Sequence, residues 1–228
     1  MKPVNINAQD ILGDMAAYSQ IAFGAAVMRY SAGTVKSTRA LTDANILGIA
    51  GDDMVGKTVD GFYSKYDPVP IITGGRARVW VTPNHTTAED VVAGDYLEIA
   101  DIGGTNTTPV GVFQEMDGEG GSGTGDARQV ESLARALEDV DLLDIEPVAS
   151  DVAVGDTEVT LSSANMTNLD LDDGDYILLE DISDQCMINR VASTTATVIT
   201  LQIASTVAML SGQSDPIHKL AQVEAVLL

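Results

Sequence analysis

Residues 66–81 read YDPVPIITGGRARVWV, and this stretch decides the fold class. Val69, Ile71 and Ile72 precede Gly74 and Gly75, and Ala77, Val79 and Val81 then alternate with Arg76, Arg78 and Trp80. Alternation with a period of two is the pattern of strands, and paired glycines supply the positive φ that a tight turn needs, so the spacing predicts a β-hairpin. The same alternation places Arg76, Arg78 and Trp80 on one face, opposite Ala77 and Val79, which point to the core. In a chain of net charge −22 this is a rare basic patch. Two readings stand: the arginines pair with carboxylates of their own structure, Glu131 and Glu138 being available, or the patch docks an acidic neighbour, since Arg and Trp are favoured at interfaces.

Working outward, residues 82–87 (TPNHTT) form a loop whose His85 has no Cys, His or spaced carboxylate pair beside it. Gly94 and Asp95 turn the chain into a strand over 96–102, and a last strand runs over 109–116. On the N-terminal side, ILGIA at 46–50 is a short buried strand ended by Gly51-Asp52-Asp53. Phe62, Tyr63 and Tyr66 concentrate aromatic area before Pro68 and read as core lining beneath the hairpin. Apolar residues thicken over 21–30. In residues 1–20, Ile11, Leu12, Met15 and Tyr18 suit one helical face, although Gly13 weakens that pattern and an extended arm is the competing reading.

Residues 117–125, DGEGGSGTG, have the composition of a flexible linker. Asp126 with Gln129 resembles a capping box, and Val130, Leu133, Leu137 and Val140 keep helical spacing, predicting a short connecting helix. From Ile145 a second strand-rich segment begins, with alternating runs at 154–163, 174–182, 187–193 and 195–205. The apolar tail 220–228 reads as an edge strand. GDYLEIADI at 94–102 returns as GDYILLEDI at 174–182, which either related β units or the common Gly-Asp turn before a strand would produce.

Thirty-four acidic residues against twelve basic ones create a field that repels phosphate backbones and anionic lipid, so neither nucleic acid nor a membrane is expected as a partner. Five lysines and seven arginines also fit a protein from concentrated salt, where self-repulsion is screened. Cys186 alone cannot form an intramolecular disulfide and reads as a small buried hydrophobe. No apolar run reaches the length of a membrane span. The histidines, His85 and His218, and the lone thiol form no convergent catalytic set, so neither an enzyme nor a cofactor is expected. In 168–175, NLDLDDGD, the glycine falls one position late for a calcium loop, and no metal is expected. The glycine run 118–125 lacks the Lys-Ser/Thr of a phosphate loop.

Taken in order, IAFGAAV from Ile21, ILGIA at 46–50, the 66–81 stretch, AGDYLEI at 93–99 and VGVF at 110–113 resemble the structural cement or capsid-decoration proteins of tailed viruses. The resemblance covers the first half of the chain. It implies an arm over 1–20 and a β domain over 21–116, to which the composition and alternation of the remaining residues add a linker and helix over 117–144 and a second β domain over 145–228. The expected fold is thus mainly β, with two small barrel-like or sandwich-like domains. The function implied is that of a non-enzymatic virion protein on the capsid exterior of a tailed virus, one with a halophilic host. It would bridge capsomers by binding the major capsid protein and itself, as a homo-oligomer around symmetry axes, with Arg76, Arg78 and Trp80 as the candidate capsid-docking face. The alternative is a virion-tail or cell-surface adhesion module that binds a glycan or host protein.

Overall fold

The computed structural model describes residues 10–38, 46–51, 61–83, 90–100, 110–116, 133–142, 145–182 and 185–228. The fold is mainly β. Its first part comprises β1 (Asp10–Ala17), β2 (Ile21–Ala22), β3 (Ala26–Ser31), β4 (Thr34–Ser37), β5 (Ile46–Ala50), β6 (Phe62–Tyr63) and β7 (Pro68–Val81). Strands β1, β4, β3, β5 and β7 close into a five-stranded barrel through the pairing of β1 with β7, while β2 and β6 form a separate two-stranded ribbon. Closure removes the exposed edges that a small open sheet would present. Inside lie Ala17, Val27, Val35, Val69 and Ile71.

Two expectations are corrected here. Residues 10–17 do not form a helix: they are β1, antiparallel to β7 and parallel to β4. The expected hairpin is also absent, because Pro68–Val81 is one strand of 14 residues. Its first half pairs with β1 and β5, Ile49 lying opposite Ile72, and its second half pairs with other strands from Gly75 onward. Gly75, at φ 84°, bends the strand where the partners change instead of reversing it. A hairpin would require the halves of β7 to pair with each other, but those backbone groups are already taken.

A second closed circuit is built on the second half of β7 with β8 (Tyr96–Ile99), β9 (Phe113–Glu115), β10 (Ala134–Ala136) and β16 (Pro216–Leu227). Val79, Val81, Leu97, Phe113, Val223 and Ala225 fill it. Strand β10 overturns the connecting helix over its described part. Ala134 and Ala136 are buried and Arg135 is exposed, a period of two within the Leu133, Leu137 and Val140 spacing, and β10 sits between β8 and β16. Two strand edges needing partners outweigh a weak helical spacing. Residues 117–132 lie outside the described residues, as does His85.

The remainder is β11 (Ile145–Pro147), β12 (Glu158–Thr160), helix α1 (Ser163–Leu169), β13 (Tyr176–Glu180), β14 (Cys186–Thr194) and β15 (Val198–Leu201). Ser162 caps α1 by accepting the Asn165 N–H at 3.1 Å. The sheet runs β16-β13-β14-β15-β12 with β11 on the other side of β16, and the Ala149 N–H donates to the Thr160 carbonyl at 2.8 Å, joining the ends. Leu169, Ile177, Leu179, Ile199, Met209 and Ile217 form its core. The C-terminal run is therefore not an edge strand: β16 has β11 and β13 beside its first half and β7 and β10 beside its second.

Candidate functional site

Along β7, Ala77 and Val79 point inward, as the alternation requires, while Arg78 is exposed and Arg76 half-buried. Arg76 Nη1 lies 3.4 Å from Glu224 Oε1, and Arg78 Nη2 lies 3.8 Å from Glu138 Oε1. Glu138 is one of the two partners the sequence offered; Glu131 lies outside the described residues. Partly exposed pairs of this kind contribute about 0–1 kcal/mol each, so they orient the arginines more than they stabilise the fold.

Trp80 shares that side of the strand but is 6% exposed. Tyr176 covers it, with ring centroids 4.5 Å apart, and the Arg190 guanidinium sits 5.7 Å from the Tyr176 ring. The tryptophan thus joins the first barrel to the C-terminal sheet instead of stacking on a neighbouring arginine. Its Nε1–H finds no hydrogen-bond partner among the described residues.

The sequence echo is a repeat of geometry. Asp95 Oδ2 accepts the Val92 N–H at 2.7 Å, and Asp175 Oδ2 accepts the Asp172 N–H at 2.9 Å. Arg135 Nε donates to the Gly94 carbonyl at 2.7 Å and Arg190 Nε to that of Gly174 at 3.0 Å, each from the strand position directly opposite the tyrosine. The acidic run after α1 is engaged by Lys219, whose Nζ lies 2.5 Å from the Asp170 carbonyl and 2.9 Å from Asp175 Oδ2. Among the described residues no group of three or more His, Cys, Asp or Glu side chains is arranged to hold a metal ion.

His218 is fully buried. Its Nδ1 lies 3.0 Å from Thr82 Oγ1 and its Nε2 2.7 Å from Glu180 Oε2. Hydroxyl, imidazole and carboxylate in this order resemble a nucleophilic triad, but Thr82 and Glu180 are also buried, and the set ties β13 and β16 to the residue that follows β7. No spacing rule could have found it, since the residues sit far apart in the chain.

A second group, which the sequence reading did not single out, lies on the first barrel. The Tyr18 and Tyr30 rings stack with centroids 3.9 Å apart. Lys36 Nζ stands 5.2 Å from the centre of Tyr30, and Lys65 Nζ stands 5.5 Å from that of Tyr18 and 5.1 Å from that of Tyr66. All three tyrosines are exposed, Tyr66 at 71%. The Tyr18 hydroxyl bonded to Tyr30 pushes the Tyr30 phenol above its ordinary range. Tyr18, Tyr30 and Lys36 border a cavity of about 490 Å³ whose deeper wall includes Ala22, Phe62, Cys186 and Ile188. The cavity lies on the seam between the first barrel and β14. Cys186 is buried, as expected. The available signal was the scarcity of lysine, with two of five in this one group.

Compared with known proteins, residues 2–135 match the family model described as Structural cement protein (E217 gp24/Pam3 gp6). No curated protein matches the chain.

Proposed function

We propose, from the premise that this chain belongs to the phage structural cement proteins, that it decorates the outside of a tailed-virus capsid and bridges adjacent capsomers. Membership itself makes it a virion structural protein associated with the capsid. The finer reading is that it binds the major capsid protein and copies of itself around symmetry axes, acts without catalysis, and presents residues 145–228 outward. Many modest contacts repeated over a shell add by multivalency to resist internal pressure. Arg76 and Arg78 on the outer side of β7 form one contact face. Trp80, on the same side of the strand but covered by Tyr176, takes no part in the contact.

The observation that carries this reading is the extent of the match, which runs from the N-terminal end of the chain into β10 and so includes the first barrel and four of the five strands of the second circuit. The adhesion alternative has less support, because Tyr176, the one aromatic residue in 145–228, is packed against Trp80. The test is to add purified protein to shells assembled without it and to record occupancy by cryo-microscopy and the temperature at which the shells rupture. Ordered density at fixed lattice positions with a raised rupture temperature is the expected result. Absence of binding overturns the reading.

A further inference from the structure

We infer that the Tyr18, Tyr30 and Lys36 face, with the cavity behind it, is a second docking surface that takes an acidic segment of the shell protein bearing an apolar side chain. The inference rests on the cement reading and names the partner chemistry of a surface distinct from the β7 arginines.

Charge supports the choice of occupant. In a chain of net charge −22, Arg76, Arg78 and Lys219 each lie beside a carboxylate, and the Arg135 and Arg190 guanidinium groups donate to the Gly94 and Gly174 carbonyls. Lys36 and Lys65 instead lie over tyrosine rings, and neither meets a carboxylate among the described residues. Asp67, the carboxylate nearest in sequence to Lys65, accepts the Ser64 N–H. Two ammonium groups held on aromatic faces leave their outward sides open to an incoming anion. A two-fold contact of this face with its own would set lysine against lysine, so the partner meets it with a different, acidic surface, which the cement reading assigns to the shell protein.

Shape supports the apolar anchor. Exposed stacked tyrosines beside a concave, mainly apolar recess form the arrangement of an interface centre, in which one inserted side chain is desolvated and surrounding contacts exclude water. A volume of about 490 Å³ is ample for one large side chain and its backbone. The recess lies where the first barrel meets β14, so an occupant would also fasten that seam.

The test uses the full chain and shells assembled without it. Replacing Lys36→Glu with Lys65→Glu should weaken binding at least about tenfold and flatten its salt dependence, while the melting temperature stays unchanged. Lys36→Arg with Lys65→Arg should bind like wild type. Thr206→Trp, on the cavity lining, should weaken binding by obstructing the recess. A photo-crosslinking phenylalanine at position 30 should join to the shell protein. Wild-type protein that fails to bind shells overturns the cement reading and this inference together. Wild-type binding combined with undiminished binding of the glutamate or Thr206→Trp variants, or a crosslink only between copies of this chain, overturns this inference alone.

Discussion

His218 Nε2 lies 2.7 Å from Glu180 Oε2, with both side chains buried, near the point where β16 leaves β13 and continues beside β7. The imidazole bridges the Glu180 carboxylate on its Nε2 side and the Thr82 hydroxyl, 3.0 Å away, on its Nδ1 side. Strands β13 and β16 and the residue that follows β7 are thereby held by one side chain at the junction of the second circuit and the C-terminal sheet.

Removing one member of such a buried pair costs about 3–5 kcal/mol, because the other is left buried and uncompensated. His218→Leu alone or Glu180→Leu alone should therefore lower the melting temperature by roughly 6–20 °C, at about 2–4 °C per kcal/mol for a chain of this size. The double replacement should recover much of the loss. Equal and additive losses in calorimetry would show that the two residues do not act as a pair.

The arginine edge and its tryptophan should separate cleanly. Arg76→Ser and Arg78→Ser should each shift stability by less than about 1 kcal/mol, whereas Trp80→Ala should cost about 3–5 kcal/mol through loss of the packing under Tyr176. Denaturant titration of the three variants measures this. Occupancy on shells then reports separately whether the arginines dock.

A protease site placed in DGEGGSGTG at 117–125 should, once cut, leave two fragments that co-elute. β16 pairs with β7 at seven positions, from Ala221 opposite Val81 to Leu227 opposite Gly75, so the C-terminal fragment supplies a wall of the second circuit. Separation in native buffer would refute that account, and dissociation only in denaturant is the expected outcome.

Melting temperature should climb along a sodium chloride series, because screening relieves self-repulsion among carboxylates in a chain of net charge −22. A flat or falling curve would count against adaptation to a saline host.

Asp151 accepts both the backbone N–H and the hydroxyl of Ser211, at 2.9 and 2.8 Å, and these bonds hold its carboxyl below the ordinary range. A depressed folded value contributes stability that is complete above the unfolded value, about 3.9, and is lost as pH falls through the folded one. Asp151→Asn should thus melt below wild type near neutral pH, and the gap should close in acid. A gap independent of pH would refute the charge dependence.

The period-two pattern of β7 determined by itself that these residues form strand and which of them face inward, because alternate side chains of a pleated backbone must point to opposite sides. It was sufficient for Ala77 and Val79 inward and Arg76 and Arg78 outward, and composition made a mainly β fold the economical way to bury so many Val, Ile and Ala residues. What followed Gly75 was not legible, since a glycine with positive φ can close a hairpin or bend a strand, and the choice depends on which remote strands take the free backbone groups. Strands β1, β5 and β16 took them. Leu133, Leu137 and Val140 carried a helical spacing for the same reason of locality, and the vacancy between β8 and β16 made Ala134–Ala136 a strand. The fate of Trp80 was likewise tertiary, because Tyr176 covers it from 96 residues further along the chain. So was the face of Tyr18, Tyr30 and Lys36: Tyr30 and Lys36 share the local hairpin of β3 and β4, but Tyr18 reaches them only through the parallel pairing of β1 with β4.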